Sequence, residues 1–438
     1  MALRVCSRFF SSRLVSAEAS SCFPSSGPAP RTCGRTGVFW WVPSSSISSE
    51  VFLSRLMKSE GLEADSGQRL PASVPLDSVE QTSLLMKVPD QPDKPRVLQV
   101  AVVGAPNAGK STLSNQLLGR KVFAVSKKVH TTRTQTLGVL TEENTQIILL
   151  DTPGLTTPSK VKRHQLEKSL LVDPWNSVKT ADLMVVMVDV ADRWTCNRLD
   201  MEVLKCLSKH PDVPAVLVLN KVDLLKSKDR LLDITADLTC GVVNGRHIRV
   251  RPVMKPPWAE KRPDPDPVSP DGATEAKGGA DPGSGLSKEQ LEELRTRRGW
   301  SNFKDVFMMS AMDKEDVDTL KAYFVAAAKP GPWRFHSRVL TDQTPQDICT
   351  SLVREKLLEN LPQEVPYSVT QLVDLWREGA DGQVEVCVKV YVKKESHMRM
   401  VIGAAGRTVA QMAQEAGADL SRIFMTPVKL KLSVKLKK

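Results

Sequence analysis

The octapeptide Gly104-Ala105-Pro106-Asn107-Ala108-Gly109-Lys110-Ser111 follows the apolar run Val97–Gly104 and opens a segment able to form a helix. This spacing, in strand-loop-helix order, constrains the fold more than any other feature of the chain. The glycines let successive backbone N–H groups curl around an anion, and the loop ends at a helix N-terminus, where peptide dipoles favour negative charge. Lys110 is placed to neutralise the β/γ oxygens of a polyphosphate, Ser111 offers its hydroxyl to Mg²⁺, and Thr112 continues the segment.

Such a unit needs a parallel sheet around it, and the flanking sequence supplies one. Downstream of Arg96, short apolar strands alternate with amphipathic helices, which predicts an α/β domain with a mostly parallel sheet covered on both faces. Strands are expected at 97–104, 136–140, 147–151, 183–189, 215–220 and 306–310. The pattern breaks over about 254–287, where Pro256, Pro257, Pro263, Pro265, Pro267 and Pro270 precede a Gly-rich stretch with too little apolar surface to bury. This reads as a disordered insertion, ending where Ser287 caps a helix with Gln290 at its third position.

With 438 residues, 41% hydrophobic and 25% charged, the chain is long enough for two or three globular domains and is not disordered throughout. No apolar run reaches the 18 or so residues of a spanning helix. The net charge of +11 favours polyanionic partners. The eight cysteines lie far apart without a CxxC pair and the histidines are scattered, so a reduced compartment and no zinc site are expected. Residues 1–49 carry Arg4, Arg8, Arg13, Arg31 and Arg35, many serines and one acid, Glu18, the composition of an organellar transit peptide. As a helix, the first fifteen residues would line up Leu3, Phe10 and Leu14 beside Arg4 and Arg8, which favours import into mitochondria over secretion. Proline-punctuated residues 50–94 read as a flexible lead-in.

Two further motifs choose the ligand. Asn220-Lys221-Val222-Asp223 closes an apolar strand, where open α/β sheets bind ligands. An ionised Asp223 accepts two hydrogen bonds from guanine N1–H and its 2-amino group, which adenine cannot offer. Asn220 is expected to tie this loop to the octapeptide, the Lys221 stem to cover the base, and Ser310-Ala311 to meet the guanine carbonyl. Asp151-Thr152-Pro153-Gly154 ends another strand; Asp151 is expected to hold Mg²⁺ through water and the Gly154 N–H to meet the γ-phosphate, the kind of contact that makes a loop a switch. In the polar stretch Thr131-Thr132-Arg133 one threonine is expected to ligate Mg²⁺ when GTP is bound, with Thr132 preferred over Thr131. Lys110, Thr132, Asp151 and Gly154 form the expected catalytic set.

After Pro330-Gly331-Pro332 a smaller α+β unit is predicted: a helix over 345–361, strands near 367–376, 384–392 and 428–436, and helices over 396–402 and 407–416, in the order αββααβ. Gly403-Ala404-Ala405-Gly406 falls between the two central helices, where a type II KH domain carries its GxxG loop. Lys393, Lys394, Arg399 and Arg407 surround the loop, and Ile402 with Val401 is expected to line a groove for about four unpaired nucleotides. Lysines 429, 431, 435, 437 and 438 either extend that surface or protect a solvated sheet edge.

The GAPNAGKST, HTTR, DTPG, NKVD and SA segments in order, followed by the αββααβ unit, resemble the Era family of translation-factor-like GTPases and, within it, the mitochondrial branch of vertebrates. The resemblance covers about residues 96–240 and 300–438. It implies a G domain over 95–330, a KH domain over 331–438, and a GTP-hydrolysing RNA chaperone of the mitochondrial matrix. The implied partners are GTP and GDP, small-subunit ribosomal RNA and a small-subunit precursor; a peripheral contact with the inner mitochondrial membrane is a further expectation. Leu155 stands where Ras-type enzymes have a water-orienting Gln, so intrinsic hydrolysis should be slow. Asn107 resembles the asparagine that helps bind K⁺ in relatives with that substitution; its other reading is a loop-shaping residue. The competing function is an RNA-binding module whose G domain serves only as a platform.

Overall fold

The computed structural model describes residues 3–5, 72–126, 128, 136–152, 154, 178–248, 287–362, 364–379 and 382–437. In order, the elements of its first part are β1 (Leu3–Val5), α1 (Ser78–Met86), β2 (Arg96–Gly104), α2 (Lys110–Leu118), β3 (Thr136–Glu142), β4 (Thr145–Asp151) and β5 (Leu183–Asp189). There follow α3 (Met201–Lys209), β6 (Ala215–Asn220), α4 (Arg230–Thr239), a small hairpin of β7 (Val242–Val243) and β8 (Arg246–His247), α5 (Lys288–Thr296), β9 (Phe303–Met308), α6 (Lys314–Ala327) and β10 (Lys329–Pro330).

The main sheet runs β1-β9-β6-β5-β2-β4-β3, with β3 antiparallel to β4 and β10 antiparallel to the start of β2. Alternation in β2 serves both faces: Leu98, Val100 and Val102 pack into one core, Ala101 and Val103 into the other. The chain builds outward from β2 on one side and then returns to add β5, β6 and β9 on the other. The octapeptide therefore sits at the point where strand order reverses, the place at which such sheets open a crevice.

Several expectations change. The last strand of the sheet is Phe303–Met308 rather than 306–310, because the Ser310 N–H is taken by the Asp316 carboxylate at 2.8 Å and the chain turns off the ladder. Leu3–Val5 is a parallel strand beside Val306–Met308 instead of part of a helix; the outer edge of β9 offers unpaired backbone groups that a short strand can satisfy. Of the expected insertion, residues 254–286 lie outside the described residues, as do 1–2 and 6–49 of the expected transit peptide. Ser287 closes the insertion as read, with a complete capping box to Gln290.

Residues 72–94, expected to be a flexible lead-in, carry α1. Val74 is buried, the buried Gln81 donates to Thr341 O and Gln343 O at 2.7 and 3.2 Å, and Leu76 O accepts from Trp376 Nε1 at 3.0 Å. The contacts that order this segment come from 242 to 300 residues downstream, so local sequence carried no sign of them.

The second unit contains α7 (Pro345–Asn360), β11 (Thr370–Glu378), β12 (Val384–Val392), α8 (Glu395–Ile402), α9 (Arg407–Phe424) and β13 (Val428–Leu436), the αββααβ order read from sequence. β12 is central, antiparallel to β11 and parallel to β13, and Val384, Val386, Val388, Val390 and Val392 are all buried. Residues 331–344 do not begin this unit as expected; they strap the edge of the main sheet. Trp333 is buried with its Nε1–H on Asn144 O, Val139 N donates to Leu340 O at 2.8 Å, and Thr341 Oγ1 donates to Leu137 O at 2.7 Å. One buried apolar cluster then runs from Val100 and Phe324 through Ile348 to Val388 and Leu420.

α9 continues to Phe424 instead of stopping near 416, passing through Gly417, whose missing side chain faces β13. A Cβ there would meet Leu430 Cβ and Val428 O at 3.5 Å, ordinary contact distance. Gly417→Ala should therefore fit and stabilise this unit by about 0.5–1 kcal/mol through helix propensity, read as a rise in its thermal unfolding midpoint; a lower midpoint would mean that the helix needs closer approach to the strand.

Candidate functional site

The C-terminal ends of β2, β4, β6 and β9 open onto a cleft of about 480 Å³, and most residues singled out from sequence line it. Its phosphate end is built from the octapeptide. Gly104 and Gly109 both have positive φ, and a Cβ on Gly109 would come within 2.3 Å of Asn220 Nδ2, so the loop can close only with glycine there. Lys110 is buried and donates to Gly104 O and Ala105 O at 3.2 and 2.9 Å. Burial pulls its ammonium down to about 8 against the opposing pull of Asp151. An ammonium held this way has only backbone oxygens to release when a phosphate arrives. Gly154 lies against the same loop, since a Cβ on it would meet Pro106 Cα at 2.8 Å.

Ser111 Oγ donates to Asp151 Oδ2 at 2.7 Å, while Asp151 Oδ1 is buried and has no hydrogen-bond partner among the described residues. Burial raises the Asp151 carboxyl to about 6, against the lowering effect of the Ser111 bond, Lys110 and Ser114. A buried carboxylate with one unoccupied oxygen beside a hydroxyl is a hard all-oxygen donor set of the kind that suits Mg²⁺. Thr152 lines the cleft, with its hydroxyl donating to Val102 O at 2.6 Å. Thr131, Thr132, Pro153 and Leu155 lie outside the described residues.

At the base end, Asn220 holds three loops together. Its Nδ2 donates to Ala108 O at 2.7 Å, and its Oδ1 accepts from Ala311 N at 2.9 Å. Lys221, in the left-handed conformation, lays its stem along the cleft and donates to Asn107 O at 2.9 Å; Asn107 is left-handed as well. Asp223 is exposed at the rim beside Leu224, and Ser310, Ala311 and Met312 complete that wall.

Three positioning groups were not found from sequence. Asp189 pairs with Lys221 Nζ and accepts from Ala191 N, and it ends β5 as Asp151 ends β4, a placement that could have signalled it. Asp316 holds the Ser310 loop from the first turn of α6. Glu359 of α7 reaches the cleft wall formed by Ala124, Val125 and Ser126, and no local pattern marks it.

In the second unit, Gly403 and Gly406 have φ of +72° and +77°, with Ala405 left-handed between them. A Cβ on Gly403 would lie 2.0 Å from Thr408 Oγ1, whereas one on Gly406 would meet nothing. The loop joins the C-terminus of α8 to the N-terminus of α9, with Lys393, Lys394, Arg399, Ala404 and Arg407 exposed around it. Arg399 pairs with Glu395, and Arg407 Nε donates to Ala404 O at 3.3 Å. Ile402 is half-buried beside the loop, but Val401 is fully buried in the core and cannot line a groove. The helical period turns one of two adjacent apolar residues inward.

The raised Asp151 group fixes a sign. Its folded pKa lies above the carboxylate norm, so the ionised form destabilises the ligand-free fold above pH 6, and the penalty fades as pH falls from 6 towards 4. Asp151→Asn should flatten the pH dependence of unfolding of the ligand-free chain between about pH 4 and 6, measured by thermal unfolding across that range; an unchanged profile would reverse this reading.

Residues 99–221 match the 50S ribosome-binding GTPase family, and residues 364–438 match the KH domain family. GTPase Era, mitochondrial, of Salmo salar is 66% identical over 407 residues, spanning 91% of this chain and 89% of its own length. The protein of the same name from Danio rerio is 55% identical over 410 residues, spanning 92% and 90%. The crystal structure of Era in complex with MgGDPNP and nucleotides 1506–1542 of 16S ribosomal RNA matches 78% of this chain and 94% of its own, with a TM-score of 0.57 and 25% identity. A glycine-loop cleft at the strand-order reversal, a KH unit fused behind it and relatives matching along nine-tenths of the sequence have one explanation: the chain belongs to the Era family of GTPases.

Proposed function

We propose that this GTPase is an RNA chaperone of the mitochondrion, whose KH unit grips small-subunit ribosomal RNA during assembly of the small subunit and whose bound nucleotide sets the strength of that grip. The observation that carries the reading is the Asn220 bridge, which makes the base-binding loop, the phosphate loop and the Ser310-Ala311 loop one body inside a unit that also presents the glycine loop of the KH domain. Small-subunit RNA is supported by the Era relative whose crystal structure contains 16S ribosomal RNA. The description of the G-domain family names the 50S particle, but the choice of RNA belongs to the KH unit. The mitochondrion is supported by the names of the two fish relatives and by the Arg- and Ser-rich first 49 residues; within it, the matrix is the compartment proposed. No helix among the described residues is long and apolar enough to cross a membrane, and contact with the inner membrane would be peripheral.

In hydrolysis, water attacks the γ-phosphorus, the bond to the β-γ bridging oxygen breaks, and that oxygen leaves on GDP. Lys110 exchanges its backbone acceptors for β/γ oxygens and offsets the charge that grows on them. Gly154, packed close against Pro106, would offer its N–H to the γ-phosphate and so register whether that group is present. Ser111 and Asp151, with Thr132, would hold Mg²⁺, which would supply positive charge to offset that of the phosphates. Asp223 selects guanine by two charge-assisted hydrogen bonds, and its loss strands both donors. In this scheme Asn107, whose carbonyl accepts from the Lys221 ammonium, would help hold K⁺, which would supply positive charge in place of an arginine finger.

Three outcomes test the reading. Asp223→Ala should weaken GTP binding by about a hundredfold or more while leaving ATP binding negligible; equal calorimetric affinities for the two nucleotides in the unaltered chain would end it. Turnover should be faster in K⁺ than in Na⁺ buffer, and equal rates would remove the ion from the scheme. RNA affinity should differ between the GTP-analogue and GDP forms, and Lys110→Ala should abolish the difference. RNA function unaffected by that substitution would instead identify the G domain as a mere platform.

A further inference from the structure

The nucleotide cleft is not made by the G domain alone. Its wall at Ala124–Ser126 is held from behind by α7 of the KH unit. Glu355 is buried, with 1% of its surface exposed; its Oε2 accepts from Val125 N at 2.7 Å, and its Oε1 pairs with Lys121 and, at 3.1 Å, with Lys356. Lys121 also pairs with Asp419 of α9 at 2.7 Å, and Lys356 reaches the same carboxylate at 3.4 Å. One turn further along α7, Glu359 lines the cleft, and at the helix end Leu361 O accepts from Lys128 Nζ. The stretch from Lys121 to Lys128 is thus fastened to α7 at three points.

Helix α9 connects this cluster with the other site. It begins at Arg407, directly after the glycine loop, and Asp419 lies twelve residues along it, about 18 Å at the helical rise. A helix of this length packed along one face moves as a body, and in the cluster it enters the side chains of Glu355, Lys356 and Asp419 are only 2%, 11% and 11% exposed, which leaves little water to replace a lost partner.

We infer that Glu355 is a positioning residue of the nucleotide site: it fixes the Val125 wall of the cleft to the KH unit, so that nucleotide occupancy and the placement of α7 and α9 are linked. The inference deepens the proposed RNA switch and rests on that reading for its purpose, but its geometry can be tested without RNA. Displacing Val125 would leave the Glu355 carboxylate buried without its N–H donor, so the wall and α7 shift together or not at all.

The test uses the full chain and fluorescent GDP and GTP analogues, with release followed by stopped flow in the absence of RNA. Glu355→Ala should speed release about tenfold, as expected for loss of a buried charge-assisted anchor. Glu355→Gln, which keeps the shape and one acceptor oxygen but not the charge, should speed release about threefold, and Lys121→Met should do so to a similar extent from the G-domain side. Release unchanged in the Gln and Met variants would overturn the inference even if the Ala variant did not fold. Equal RNA affinities of the GTP-analogue and GDP forms of the unaltered chain would end the proposed switch instead, leaving the release rates to decide the role of Glu355.

Discussion

The site depends on a single side-chain amide. Asn220 is buried, and both ends of its carboxamide are used, the NH₂ on the phosphate loop and the oxygen on the loop after β9. Each bond crosses between segments that meet only because β2, β6 and β9 are parallel members of one sheet. Remove this amide, and a buried carbonyl and a buried N–H lose their partner in a place water reaches poorly. The narrow fit of Gly109 against Asn220 has the same origin: the loop approaches so closely that a methyl group would occupy the position of the nitrogen.

The sequence was most legible where chemistry demands a residue type at a fixed backbone position. Glycines 104, 109 and 403 need positive φ or lack room for a side chain, Lys110 and Ser111 follow from phosphate geometry, and Ser287 with Gln290 follows from helix capping. It was least legible where a residue's role comes from a distant partner. Asp316 and Glu355 are ordinary acids in their local context and acquire function only from the loop each one faces. Helix α1 shows the same limit, since its polar anchor Gln81 is satisfied by the strap at 341–343. Val401 shows another, because two neighbouring apolar residues on a helix cannot share one face.

The two units meet through a mixture of forces with different consequences. The apolar cluster shared by the main sheet and α7 supplies most of the adhesion and is indifferent to small rotations. The Lys121-Glu355-Lys356-Asp419 cluster is directional and tolerates few alternatives. Ion pairs of this kind add little net stability over a packed apolar contact, yet they penalise intermediate arrangements, which is the property a two-position device requires.

The strap at 331–344 sets where such a device would pivot. Because its backbone is laced to β3 by the Val139 and Thr341 bonds, the covalent joint between the units has almost no slack. A swing of the KH unit would therefore start next to residue 344, and its far end would follow an arc instead of a sphere.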